Sequence, residues 1–304
     1  MKHLLYSLWH RDFWLLLVCL PLLVGSGCAK EEVLSTDPKV LLDAAWDDFR
    51  LAEYDLALKK FAACRDLTEP ATDEHLLALY GLATTWDLRQ PMPDQDDARA
   101  SELYEEILAT APDHNLAAWS QLALARMNHL VPVGKDPDYD VVRKGYEEVM
   151  AQFPEHFAGQ EAFIYQNAIP IMTLEPGPTE EALASLEQFI ADHPDSQFVS
   201  MAYNLCAIGY ETLGRYDDQL AARLKELETL ELDPTSPFID NSWRYWQIAT
   251  TAEFLAGNFD VARAYYQLLI DEYPVDVRTY SAEQAILRMA ALEAELQAEL
   301  EAQP

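Results

Sequence analysis

Apolar residues recur along the chain at helical spacing, in stretches that each close at a proline. YEEILATAP, YEEVMAQFP, LEQFIADHP and YQLLIDEYP are four of these stretches. The closing prolines lie about 40 residues apart, a period typical of arrays of repeated helical units. Because proline lacks the N–H that a helix interior needs, each stretch predicts a helix ending near its proline. The prolines are Pro70, Pro112, Pro154, Pro194, Pro234 and Pro274.

These helices share one stripe of residues at positions i, i+4 and i+7. The stripe starts with a small residue and continues with an aromatic or other large apolar residue. The spacing places all three on one helix face, where a neighbouring helix can approach closely. The sets are Ala57, Phe61 and Cys64; Ala100, Tyr104 and Ile107; Val142, Tyr146 and Val149; Ala182, Leu186 and Phe189; Ala262, Tyr266 and Leu269.

A further helix precedes each striped helix, most clearly in residues 243–274. There Trp246, Ala249 and Phe254 mark the first helix, and Gly257 begins the turn to the second. This pattern resembles the tetratricopeptide repeat (TPR). The resemblance implies an all-α chain, a right-handed α-solenoid of about six TPR-like helix pairs over residues 39–274. Residues 202–224 match the first helix and turn but carry Gln219 and Arg223 where Ala and an aromatic residue are expected.

Three inner turns are longer than in compact repeats and account for the period near 40. They read RQPMPDQDD, LVPVGKDPDYD and IPIMTLEPGPT. Residues 275–304 follow the array and predict a C-terminal capping helix and tail. Its inner half has an apolar stripe, while we take its Glu/Ala/Gln-rich end as uniformly polar, as a solenoid end exposed to water requires.

The first 27 residues have the features of a signal peptide. Lys2 and Arg11 precede an uncharged apolar run over 13–24, which is too short to span a bilayer. The small residues before Cys28 resemble the lipobox of bacterial lipoproteins, although Gly25 stands where Leu is usual. The resemblance implies a lipidated Cys28, a tether over 28–38 and, since Ala29 follows, the outer membrane facing the periplasm. Ordinary secretion, with cleavage at the same bond, is the alternative.

The composition limits the classes of molecule that the chain is expected to bind. The chain carries 21 Lys and Arg against 52 Asp and Glu, a formal net charge of −31. Such acidity argues against nucleic-acid binding, which needs basic side chains to neutralise phosphates, and it can steer a basic partner. We find no nucleophile, phosphate-loop or zinc motif, and expect no cofactor and no metal site. His114, His156 and His193 fall in turns between repeats. We therefore expect no enzyme activity.

In the TPR family, the first helices of the pairs face a concave groove that binds a protein or peptide. Phasing the first helices on Ala207 and Ala249 gives the candidate partner-binding residues by this resemblance. These are Asn204, Ile208, Glu211, Arg244, Gln247 and Thr251.

The repeat style over residues 189–224 is similar to that of the outer-membrane β-barrel assembly lipoprotein and of periplasmic cell-division coordinators. The resemblance implies an envelope-anchored, non-enzymatic scaffold with a protein or peptide partner in the cell envelope and a membrane anchor through N-terminal lipid. Two other functions stay open: a glycan- or nutrient-binding outer-membrane lipoprotein, and an accessory domain for peptidoglycan enzymes.

Overall fold

A computed structural model describes residues 34–91, 94–132, 134–232 and 240–302. The predicted signal peptide and Cys28 lie outside these ranges. Thirteen α-helices form within the described ranges, and the predicted all-α class is confirmed. The helices are α1 Pro38–Arg50, α2 Tyr54–Leu67, α3 Asp73–Leu88, α4 Asp97–Thr110, α5 Asn115–His129, α6 Tyr139–Gln152, α7 Phe157–Met172, α8 Pro176–Asp192, α9 Val199–Thr212, α10 Tyr216–Thr229, α11 Ser242–Phe254, α12 Phe259–Glu272 and α13 Thr279–Ala302.

The chain divides into two compact units, one ending at Thr85 and the other beginning at Trp86. In the first unit α1 packs against α2. In the second unit each helix from α4 to α13 packs against the next, and the first helices α5, α7 and α9 also contact one another in sequence. The order is the predicted one of sequential helix pairs followed by a last helix. No helix of the described residues has the length and apolar character that crossing a membrane requires.

The predicted stripe is buried in all five second helices in which the sequence shows it, from Ala57, Phe61 and Cys64 in α2 to Ala262, Tyr266 and Leu269 in α12. Cys64 and Cys206 are both buried, as expected of small apolar side chains. Burial is the main reason that the pKa of the Cys64 thiol rises to about 11 and that of Cys206 to about 12. The stripe is therefore the main apolar contribution of each second helix to the core.

Four of the second helices end directly before the predicted prolines, while Pro234 lies outside the described residues. In α4, α6, α8 and α12 the residue after the last helical one is the C-cap, and its N–H still donates to the last turn. Each of these residues precedes a proline, which disfavours helical backbone at that position. The four C-caps are Ala111, Phe153, His193 and Tyr273.

The prediction of a long inner turn at IPIMTLEPGPT is wrong. Helix α7 continues through Pro170 to Met172, and α8 already begins at Pro176. Pro176 occupies the first turn of α8, where a missing N–H costs nothing because it would have no helical partner. Pro170 lies in the last turn of α7, between the buried Ile169 and Ile171. Packing of these neighbours outweighs the helix-breaking tendency of proline.

The expected uniformly polar end of the last helix is also wrong. Helix α13 spans 24 residues. Its first half buries Ala282, Ala285 and Met289 against α11 and α12. Its second half carries leucines among the glutamates, and these leucines are exposed. The end of α13 is therefore acidic and amphipathic.

Two of the turn histidines begin helices. His114 is the N-cap of α5 and His156 is the N-cap of α7. The Nδ1 atom of His156 accepts a hydrogen bond from the N–H of Ala158 at 3.0 Å, and Nδ1 of His114 accepts one from Leu116 at 3.2 Å. An unprotonated ring nitrogen is needed for this bond. Within the described residues no three His, Cys, Asp or Glu side chains are grouped as metal ligands.

The cap at His156 makes the second unit sensitive to mild acid. Burial lowers the pKa of His156 below its ordinary 6.5, so the unfolded chain binds a proton more readily than the folded chain. This contribution to stability is present above about pH 6.5 and is lost as the pH falls through the folded-state pKa. We expect His156→Asn, which keeps a capping oxygen but does not titrate, to lose less stability between pH 7.5 and pH 5 than the wild type.

Urea unfolding followed by circular dichroism at both pH values measures this difference. A second variant, His156→Ala, removes the cap at every pH and should cost about 1 kcal/mol at pH 7.5. Identical pH dependence in the wild type and His156→Asn would rule out titration of this cap.

Candidate functional site

Helix α10 has a polar stripe where the other second helices have an apolar one. Gln219, Arg223 and Glu226 occupy the i, i+4 and i+7 positions of this helix. All three are buried, with exposed fractions of 2%, 6% and 6%. Buried polar and charged groups cost free energy unless other groups bind them. The groups that form hydrogen bonds with this stripe therefore have to be identified.

The partners come from the first helices on either side of α10. Arg223 Nη1 donates to Asn204 Oδ1 of α9 at 2.5 Å and to Glu226 Oε2 at 3.0 Å. The other Glu226 oxygen, Oε1, accepts a hydrogen bond from Arg244 Nε of α11 at 3.4 Å. One turn earlier, Gln219 Nε2 donates to Glu211 Oε2 of α9 at 2.8 Å. We call these six residues the α10 network.

The α10 network lies between two apolar clusters. Ala222 of α10 belongs to the cluster that α7, α8 and α9 form, and Leu220 belongs to the cluster that α11, α12 and α13 form. The polar stripe of the same helix links Asn204 of α9 to Arg244 of α11. The fifth and sixth helix pairs are thus joined partly by directional hydrogen bonds, which fix the orientation of the side chains they join.

Three of the six predicted partner-binding residues belong to this network. They are Asn204, Glu211 and Arg244. Ile208 is half-buried against the cluster of α7–α10, and Gln247 is half-buried on α11. Thr251 is only 6% exposed, so its side chain does not lie open to a partner. The structure therefore groups the predicted residues around α10 and leaves Thr251 in the core.

Sequence reasoning noted Gln219 and Arg223 as departures from the repeat but assigned them no part in the site, and it missed Glu226. The signal was present in the sequence, because Glu226 stands at i+7 of the stripe, where Ile107, Val149 and Leu269 stand in other helices. Three consecutive polar residues at stripe positions predict a buried polar cluster. The sequence did not identify the partners of that cluster.

The network presents a partly exposed cation. Two guanidinium groups share the carboxylate of Glu226, and the side chain of Arg244 is 24% exposed whereas those of Arg223 and Glu226 are 7% and 8% exposed. Among the described residues, Arg223 Nε and Gln219 Oε1 have no hydrogen-bond partner. In a chain of net charge −31, Arg244 is a positive group to which an acidic or carbonyl group of a partner can bind.

Two of the other polar links between successive helix pairs differ from the α10 network in one respect. Asp87 accepts hydrogen bonds from Tyr104 at 3.3 Å and from Arg126 at 2.5 Å. Glu253 likewise accepts from Tyr266 at 2.8 Å and from Arg288 at 3.0 Å.

In both of these links the tyrosine keeps the aromatic stripe position. Burial is the first cause that raises the pKa values of Asp87 and Tyr266. Only α10 replaces the aromatic residue of the stripe with an arginine, among the second helices described.

A cleft in the second unit lies over α7, between α6 and α8. Its volume is about 590 Å³, and Met150, Phe163, Phe189 and His193 are among its lining residues. The rings of Phe163 and Phe189 stack on each other, with centroids 5.3 Å apart and an interplanar angle of 20°. Each ring thus uses one face on the other ring, which leaves less aromatic surface for a planar ligand.

Removing one charge of the buried pair should destabilise the chain more than removing both. Arg223→Leu leaves Glu226 buried with only the longer contact to Arg244, and we expect the free energy of unfolding to fall by about 3 kcal/mol. The double variant Arg223→Leu/Glu226→Leu removes the uncompensated charge and restores an apolar stripe. Its stability should lie within about 1 kcal/mol of the wild type or above it.

Urea unfolding measures all three proteins, with Arg215→Leu as the control. Arg215, the N-cap residue of the same helix, forms an exposed ion pair with Asp218, so this change should alter stability by less than about 1 kcal/mol. Equal destabilisation of the single and double variants would show that the Arg223–Glu226 pair is not a desolvated charge pair.

Comparison with known proteins supports the fold. The family model described as Tetratricopeptide repeat matches residues 161–196 and 245–274. Both matched segments lie in the second unit, and the second covers α11 and α12. A comparison with curated proteins gives no match.

Two solved structures are similar to the chain over most of its length. The structure of PilF from Pseudomonas aeruginosa has a TM-score of 0.50 and 11% identity, and the match covers 81% of this chain and 96% of PilF. The structure of PilW, a widely conserved type IV pilus biogenesis factor, has a TM-score of 0.51 and 17% identity, with 80% and 97% covered. At these identities the likeness shows the fold alone, which is all-α and TPR-like.

Proposed function

We propose that this chain is a non-enzymatic scaffold that binds a segment of another protein along α9 and α11, in the envelope of a bacterial cell. The observation that carries the proposal is the α10 network. It replaces apolar packing with a buried polar cluster whose partners, Asn204 and Arg244, are two of the residues predicted to bind the partner. TPR-like repeats supply surfaces for protein segments rather than catalytic groups, but this step from fold to function is an analogy.

The chemistry of the surface indicates what kind of segment fits. Asn204 and Gln247 can donate to and accept from a peptide backbone, and Ile208 offers half-buried apolar area. Arg244 provides one positive charge. These groups suit an extended or helical segment with an apolar anchor and one acidic side chain. A long acidic tail is a poor fit, because Glu211 adds negative charge to the same surface.

The network also lowers the cost of binding by holding Arg244 in place. Its Nε donates to Glu226, and its Nη1 lies 3.4 Å from the carbonyl oxygen of Asp240. An arginine fixed in this way loses less side-chain freedom when it binds a carboxylate than a free arginine would. Glu226 is itself held by Arg223, so the arrangement is ordered before a partner arrives.

The envelope part of the proposal rests on the N-terminal sequence. Residues 13–24 form an apolar run, and the small residues at 25–27 precede Cys28. We propose that cleavage before Cys28 and lipidation of its thiol and amine anchor the chain in the outer membrane facing the periplasm. Several acyl chains together hold a protein on a bilayer. The similarity to PilW, a type IV pilus biogenesis factor, is consistent with an envelope protein.

Glycan binding is the main competing function, and it would need open aromatic faces. Trp243 is the exposed tryptophan of α11, but the guanidinium of Arg278 lies 5.2 Å from its ring centroid. Arg278 therefore covers one face of this indole, as the stacking of Phe163 on Phe189 does in the cleft. We place protein binding ahead of glycan binding for this reason.

The proposal predicts that substituting the half-buried residues Arg244 and Gln247 weakens capture of the partner. A photo-crosslinking amino acid at position 208 should yield a defined envelope protein in living cells. Arg244→Ala/Gln247→Ala should reduce this crosslink at least tenfold, because the charge and one amide of the surface are lost. Crosslinked partners are identified by mass spectrometry, and circular dichroism of the purified variant should show unchanged helix content.

The control is a substitution on α12, which is the second helix of the sixth pair and is not part of the proposed binding surface. Gln267 of α12 is exposed, so Gln267→Ala should leave the crosslink from position 208 unchanged. If the chain is retained on a glycan column and no protein is crosslinked from position 208, the scaffold function is wrong and glycan binding is favoured. Full capture by the Arg244→Ala/Gln247→Ala variant would show that α9 and α11 do not form the binding surface.

Lipid anchoring has its own test. Cys28→Ser removes the thiol that a lipid would occupy, so the chain should move from the membrane fraction to the soluble periplasmic fraction. Mass spectrometry of the N-terminal peptide should show added acyl mass in the wild type only. A Cys28→Ser chain that still fractionates with membranes would exclude lipid on Cys28 as the anchor, without affecting the groove.

A further inference from the structure

Helix α13 continues well past the body of the second unit. It spans 24 residues, whereas the longest of the other helices, α8, spans 17. Ala282, Ala285 and Met289 are buried in the cluster with α11 and α12. Further along, Leu292, Leu296 and Leu300 are 42%, 50% and 64% exposed.

The buried and exposed residues of α13 form one stripe. At about 100° per residue, the six positions 282, 285, 289, 292, 296 and 300 fall within about 80° of one another. The first half of the stripe is covered by the preceding helices, and the second half continues the same face without a described neighbour. An apolar stripe that continues an existing helix interface is a surface on which another helix can pack.

The charged residues around the exposed half of the α13 stripe indicate which kind of helix could bind there. Glu293, Glu295, Glu299 and Glu301 lie in this stretch, and residues 289–304 contain no Lys or Arg. Negative charge near the C-terminal end of a helix is unfavourable, because the helix dipole is also negative there. A second copy of α13 would bring further glutamates to this place. A basic helix would neutralise them.

An ion pair between a basic residue and a glutamate already joins α12 to α13. Arg263 of α12 contacts Glu293 of α13 at 2.7 Å, at the point where the covered half of the stripe ends. A basic residue of the adjacent helix thus pairs with the first glutamate of the acidic stretch. A partner helix placed beyond α12 along α13 would meet the remaining glutamates in the same way.

We propose that the end of α13, with Leu292, Leu296 and Leu300 and their flanking glutamates, docks a basic amphipathic helix of another protein. The partner helix presents apolar residues at positions i, i+3, i+4 and i+7 to the leucines, and lysine or arginine beside them to the glutamates. This surface is separate from Asn204 and Arg244, and it does not depend on the scaffold function proposed for α9 and α11.

The test uses a defined peptide and the intact chain. The probe is a synthetic 18-residue peptide with leucine at the helical stripe positions and lysine elsewhere, labelled for fluorescence anisotropy. A peptide of the same composition in scrambled order controls for general attraction to an acidic protein. We expect the patterned peptide to bind at least tenfold more tightly than the scrambled one, with affinity falling as salt is raised.

Two variants locate the binding. Leu292→Gln/Leu296→Gln/Leu300→Gln changes only exposed side chains, so the fold should persist and binding of the patterned peptide should weaken at least tenfold. The matched control, Leu51→Gln/Leu130→Gln/Met172→Gln, alters exposed apolar residues elsewhere and should bind as the wild type does. Equal binding by the wild type and the α13 variant would overturn the proposal. A dimer in sedimentation that the α13 variant abolishes would also overturn it, because the occupant would be a second copy.

Discussion

The structure depends on the burial of one three-residue stripe in each second helix. A small residue lets the neighbouring helix approach, a ring or large apolar side chain fills the next turn, and a third apolar residue closes the contact, as in Ala262, Tyr266 and Leu269. Burying such side chains contributes about 1.5–3 kcal/mol for each large residue. Because each stripe contacts helices near it in sequence, repetition of the motif about every 40 residues produces the sequential pairs without long-range sequence signals.

This dependence explains why α10 is informative. Gln219, Arg223 and Glu226 occupy stripe positions but cannot contribute apolar burial, so hydrogen bonds must compensate for the water they lose. The compensation comes from Asn204 and Arg244 on the two neighbouring first helices. The other five second helices keep an apolar stripe, which is buried without this loss of hydration. Natural sequences depart from such a local rule mainly at functional sites. In our proposal, the function of this departure is the placement of Arg244.

The buried stripe, the helix ends near the prolines and the order of helix pairs could be predicted from the sequence. Each of them follows from spacings between residues that are close together in the chain. The inner turn at 169–179 could not be predicted, because the tolerance of Pro170 depends on the burial of Ile169 and Ile171. The α10 network joins residues 18 and 19 positions apart, so its partners follow from packing and not from a local pattern. The burial of Thr251 could not be predicted either, because phasing on Ala249 gives the helix face but not the extent of the neighbouring contacts.

The links at Asp87 and Glu253 show what a purely structural polar contact requires in this fold. Each adds an acid near the end of a first helix and an arginine in the next helix but one, α5 or α13, and the tyrosine ring of the stripe remains in the core. Apolar burial is kept, and only the hydroxyl of the tyrosine is drawn into the polar link. The α10 network instead gives up the ring. If joining two helix pairs were its whole role, a tyrosine at position 223 with an acid on α9 would do so and bury more apolar area. The arginine adds a second positive charge beside Glu226, so that Arg223 and Arg244 share this carboxylate. In our proposal, this sharing leaves Arg244 part of its charge for a partner.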